Sequence, residues 1–62
     1  MLNQFQINSL LEGEALLECF GNLYEFCGME GGKYVFQSVN DDYHITVSYE
    51  NLIRMPEYDI QY

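Results

Sequence analysis

The chain has 62 residues, ten acidic and two basic, with a formal net charge of −8. That length allows one domain, whose core is close to the smallest that stabilises a fold unaided. The acidic excess argues against direct binding to DNA, RNA or an anionic membrane, each of which needs a positive footprint.

Apolar residues make up 48% of the chain and ten residues are aromatic, enough for a small core and too many for a disordered segment. The N-terminal run MLNQFQINSLLEGE has no basic n-region and no long apolar stretch, so no signal peptide is expected. No run approaches the length of a membrane span. A cytoplasmic location is the expectation.

Gly13, Gly21, Gly28, Gly31, Gly32 and Pro56 are spaced too densely for long helices, and period two dominates between them. A first short strand is expected near Phe5–Ile7. A second is expected to end at Phe20, with Gly21-Asn22 as a two-residue type II′ turn. That register sets Phe20 against Leu23, Cys19 against Tyr24, Glu18 against Glu25 and Leu17 against Phe26. Ala15, Leu17, Cys19, Tyr24 and Phe26 then share a core face. Leu16, Glu18, Phe20, Leu23, Glu25 and Cys27 share the outer one, where two opposed glutamates are destabilising.

A helix over 9–20, packed on a three-stranded antiparallel sheet in an α+β fold, is the competing reading. Ser9 and Glu12 have capping-box spacing, and Gly21 has the character of a C-terminal stop. Against it, Gly13 in mid-helix costs about 1 kcal/mol relative to Ala, and the glutamates leave no clean apolar stripe.

Gly28–Gly32 reads as the connection to a second hairpin, formed by Lys33–Val39 and Tyr43–Tyr49 around a three-residue Asn40-Asp41-Asp42 loop. This register puts Val35, Gln37 and Val39 opposite Val47, Ile45 and Tyr43 on a mostly apolar face. Tyr34, Phe36 and Ser38 fall with His44, Thr46 and Ser48 on the other. ENLIRM reads as a helical turn leading to a short last strand that Pro56 ends, and residues 56–62 as a flexible acidic tail. The expected fold is all-β: an antiparallel meander of about five strands in a single domain. The strand order and the segment VSYENLIRM resemble SH3-like barrels, which implies closure of the meander into a small barrel.

No residue set points to catalysis. His44 is the only histidine, and Asp42, Thr46 and Ser48 near it lack an orienting third group and an oxyanion site. Cys19 and Cys27 are eight residues apart with only His44 as a further soft ligand, so no metal site is expected and both thiols read as reduced. GMEGGK lacks phosphate-loop spacing. No cofactor is implied.

The surface carries what functional signal there is. Acids interleaved with aromatic groups suit contact with a basic protein surface. The partner-binding residues expected are Glu14, Glu18, Phe20, Leu23, Glu25, Asp41 and Asp42. In size, charge and stiffness the chain resembles the small DNA-mimic inhibitors of phages and mobile elements. That resemblance implies a nucleic-acid-binding target such as a nuclease or a CRISPR effector. The alternative is a structural module that self-associates, as a monomer–weak dimer system, through an apolar strip of Leu16, Phe20, Leu23 and Cys27.

Overall fold

The N-terminal segment is helical rather than extended. In the computed structural model, which describes residues 1–62, Gln4–Leu11 forms α1. Its N-terminus is a capping box built on Asn3: Asn3 Oδ1 accepts from the Gln6 N–H at 2.9 Å, and Gln6 Oε1 accepts from the Asn3 N–H at 3.0 Å. Ile7, Leu10 and Leu11, at i, i+3 and i+4, supply the core-facing stripe. Gly13 is the stop. At φ +78° its N–H donates to Leu10 O, while the Glu14 N–H donates to Ser9 O, the two bonds of a Schellman motif. The strand expected at Phe5–Ile7 and the helix weighed over 9–20 are both corrected: a helix is present, but it begins at an asparagine cap and ends where Gly13 permits the left-handed backbone.

Five antiparallel strands follow, β1 (Leu16–Cys19), β2 (Asn22–Glu30), β3 (Lys33–Ser38), β4 (His44–Val47) and β5 (Tyr58–Gln61), with helix α2 (Tyr49–Arg54) between the last two. They form one curled half-barrel sheet in the order β4-β3-β2-β1-β5. The fold is thus mostly β, with α1 and α2 as its helical parts. The expected helical turn in ENLIRM is α2, whose N-terminus Ser48 caps by accepting from the Asn51 N–H. Neither helix is long and apolar enough to cross a membrane.

The first hairpin turns one residue earlier than the Gly-Asn signal implies. Leu17 pairs with Tyr24, Glu18 with Leu23 and Cys19 with Asn22, leaving Phe20 and Gly21 as the turn. Both have positive φ, 52° and 81°, which makes a type I′ turn rather than II′. The pairing differs from the expected one by two residues, so each side chain keeps its face while its partner changes. Leu17 and Tyr24 remain inside, but Glu18 no longer opposes Glu25.

The second hairpin differs by one residue, and there the faces invert. Phe36 pairs with Ile45 and Tyr34 with Val47, around a four-residue loop from Val39 to Asp42. Phe36 is fully buried, and Val35 and Gln37 share the outer face with Thr46 and His44. Burying a phenylalanine is worth about 1.5–3 kcal/mol, more than the concave face would gain from Val35 in its place. The Ser38 N–H donates to Tyr43 O at 2.7 Å, Asn40 N–H to Ser38 Oγ, and Tyr43 N–H to Asp41 Oδ1, which together satisfy the longer loop. Between the hairpins, β2 continues to Glu30 and turns at Gly31-Gly32, with one bulge at Cys27.

Residues expected as a tail form β5, which pairs along β1: Leu16 with Gln61, Leu17 with Ile60, Glu18 with Asp59 and Cys19 with Tyr58. The core lies on the concave face, where Leu17, Tyr24, Phe36 and Val47 of the sheet meet Leu2, Ile7 and Leu10 of the N-terminal segment and Leu52 of α2. Phe20 stands out against this order: a bulky residue in the left-handed region costs on the order of 1–3 kcal/mol. Phe20→Asn, which supplies the Asn-Gly pair favoured in type I′ turns, should stabilise the fold by about 1 kcal/mol and raise the melting midpoint by roughly 4–8 °C. Thermal unfolding followed by circular dichroism checks this, and an unchanged or lower midpoint contradicts the turn assignment.

Candidate functional site

The convex face of the sheet carries Glu18, Glu25 and Asp59, three of the ten acidic residues. Alternation along β1 turns Leu17 and Cys19 toward the core and leaves Leu16 and Glu18 outside. On β5 the same alternation half-buries Tyr58 and Ile60 against the core and exposes Asp59 and Gln61. Glu18 therefore sits directly opposite Asp59 on one side and Leu23 on the other. Carboxylates occupy both members of a cross-strand pair, though not the pair expected from the sequence. Glu25 lies on the same face, opposite Gln37, which in turn opposes His44. Like charges in directly opposed positions destabilise a sheet.

Of the expected partner-binding residues, Glu18, Leu23 and Glu25 share this convex face and Phe20 projects from its end at 82% exposure. Asp41 and Asp42 are exposed in the β3–β4 loop, where Asp41 is committed to the Tyr43 N–H. Antiparallel order places that loop at the same end of the sheet as the Phe20-Gly21 turn and the start of β5. Glu14 is exposed in the α1–β1 connection, at the other end of β1, apart from the rest. The apolar strip is looser than expected: Leu16 and Leu23 are half-buried, while Cys27 is exposed at the bulge with Sγ 3.8 Å from Gln37 Oε1. Asp59 and Glu57 are additions that sequence reasoning missed. The alternation of Tyr58 and Ile60 with Asp59 and Gln61 was the available signal.

The residues around the histidine are engaged elsewhere. His44 Nδ1 lies 3.0 Å from the backbone oxygen of Asp42, not from its carboxylate. Ser48 Oγ accepts from the Asn51 N–H as the cap of α2. No enclosed cavity is present in this body of 27 × 26 × 20 Å, and no cluster of three or more His, Cys, Asp or Glu side chains is arranged to hold a metal ion. Both cysteines are free. Beside the acidic face, burial raises the Cys19 thiol above its ordinary value of 9.0, with the Glu57 carboxylate adding to it. Burial likewise raises the Tyr58 hydroxyl, with smaller contributions from Cys19, Glu57 and Tyr24.

Comparison with protein-family models, curated proteins and solved structures gives no match.

Two measurements check the site. Asp59→Asn should stabilise the fold at low salt by about 0.2–1 kcal/mol, with the gain shrinking as added salt screens the repulsion. Chemical denaturation at two ionic strengths reads this, and no gain at low salt refutes a repulsive pair at Glu18 and Asp59. Raised values at Cys19 and Tyr58 favour their neutral forms in the fold. Their contribution is complete below the unfolded values and declines as pH rises past about 9, where the unfolded chain ionises first. Stability measured from pH 7 to 11 should fall more steeply for the natural chain than for the Cys19→Ser, Tyr58→Phe double variant; identical slopes contradict the assignment.

Proposed function

We propose that the protein is a non-enzymatic acidic module that docks its convex face on a basic protein surface. The observation carrying this reading is the Glu18–Asp59 pair. Two carboxylates oppose one another across adjacent strands, on the face that builds none of the core, in a chain already at −8. Folding alone disfavours that arrangement. Contact with lysine and arginine on a partner turns the same repulsion into attraction, and electrostatic complementarity of this kind raises association rates and selects partners.

The basic groups of the chain leave the face largely uncompensated. Lys33 sits opposite Glu30 beside the Gly31-Gly32 turn, at the far end of the sheet, and Arg54 Nη2 lies 4.0 Å from Glu50 Oε1 on α2. Carboxylates displayed on paired strands at fixed spacings suit a cleft shaped for phosphates, which supports a nucleic-acid-binding protein, a nuclease or CRISPR effector among them, as the target. An inhibitor from a phage or mobile element is the biological setting this reading favours. The return of β5 to β1 after the helical turn of α2 supports an SH3-like barrel as the frame for that surface.

Affinity capture with the full chain from lysate of its native host tests the proposal. The expected partner is a basic, nucleic-acid-binding protein that duplex DNA displaces and that rising salt releases. Recovery solely of neutral or acidic proteins whose affinity ignores salt contradicts it.

A further inference from the structure

The Phe20 turn carries an inference about how such a partner is engaged, and it rests on the acidic docking reading above. Phe20 is 82% exposed and holds φ 52°. An aromatic side chain there gains little from burial and strains the backbone, whereas asparagine or glycine would satisfy the turn without either cost. Fold stability thus gives no reason for phenylalanine at this position.

The surroundings of Phe20 are built and charged. Paired residues Cys19 and Asn22 hold the two-residue turn on both sides, so the ring is presented from a short stiff hairpin rather than a long loop. The same end of the sheet carries Asp41, Asp42 and Tyr43 from the β3–β4 loop and Glu57 and Asp59 from the start of β5. Tyr43 is 63% exposed. Exposed aromatic groups sharing one end of the sheet with these carboxylates match the composition of an interface with an apolar centre and a charged rim.

We propose that Phe20 inserts into an apolar pocket of a protein partner whose rim carries lysine and arginine, with Asp41, Asp42, Glu57 and Asp59 facing that rim. Charge selects this occupant over a second copy of the chain, because a dimer through this end would bring two such sets of carboxylates together.

The test places p-benzoyl-phenylalanine at position 20 of the full chain in its native host and crosslinks by light. The crosslinked protein is then identified and purified, and its affinity is measured for the natural chain, Phe20→Asn, Phe20→Tyr and the Glu57→Gln, Asp59→Asn double variant. A basic partner is expected. Phe20→Asn should weaken binding by roughly thirtyfold or more, while Phe20→Tyr stays within about threefold. Circular dichroism of Phe20→Asn separates lost contact from lost fold. Crosslinking to nothing, or to other copies of this chain alone, overturns the proposal, as does equal affinity of a folded Phe20→Asn. Equal affinity of Phe20→Asn with weakened binding of the acidic double variant defeats the aromatic contact and leaves the docking reading intact. Loss with Phe20→Asn alongside indifference to salt and to the acidic variant defeats the docking reading instead.

Discussion

The pairing of β1 on both of its edges is the constraint on which the rest of the structure depends. Four residues, Leu16–Cys19, hold β2 on one side and β5 on the other. Through Leu17 they align Ile60 and Tyr24 in one row across the concave face, and Tyr24 extends that row to Ser38 on β3. Leu17 is fully buried at the centre of it. Because successive residues of a strand alternate faces, the row that buries Leu17 also sets Glu18 outside, between Leu23 and Asp59. The core and the acidic face are two consequences of one register.

The same register joins distant parts of the chain. Residues 58–61 close onto residues 16–19, so the C-terminal strand completes a sheet that the meander alone would leave with β1 at its edge. α1 and α2 meet over the concave side, where the Tyr49 hydroxyl donates to Gln4 Oε1 at 3.2 Å and the Tyr34 and Tyr49 rings lie 6.2 Å apart. All buried side-chain polar atoms have partners. The interior therefore shows the consistency expected of a chain selected to fold, and the departures from it, strained Phe20 and the Glu18–Asp59 pair, are both on the outside.

Much of this was legible in the sequence and some was not, for reasons that are physical. Glu18 outside and Leu17 inside follow from period two and survive a two-residue change of pairing, because parity is unchanged. The inversion of β3 is the opposite case: Val35 and Phe36 are both good strand residues, and only the loop length decides which faces inward. Turn bonds from Ser38 and Asp41 that make four residues comfortable there are side-chain contacts, invisible to alternation. The N-terminal helix had a legible start signal in the Asn3–Gln6 capping-box spacing, and Gly13, whose cost in mid-helix argued against a helix, becomes an advantage just past the C-cap at Glu12. β5 was missed because its one signal, the four-residue alternation of Tyr58–Gln61, is short enough beside Pro56 to be outweighed by the reading as a tail. The missing β5 removed Asp59, and with it the true partner of Glu18, from the expected site.

A double-mutant cycle on Glu18 and Asp59 tests the central claim most directly. Stabilities of the natural chain, Glu18→Gln, Asp59→Asn and the double variant at low salt should reveal a repulsive coupling of about 0.2–1 kcal/mol that vanishes at high salt. The matching cycle on Glu18 and Glu25, which are no longer opposed, should give a smaller value. A null coupling between Glu18 and Asp59 together with a strong one between Glu18 and Glu25 would contradict the register from which both the core and the acidic face are derived.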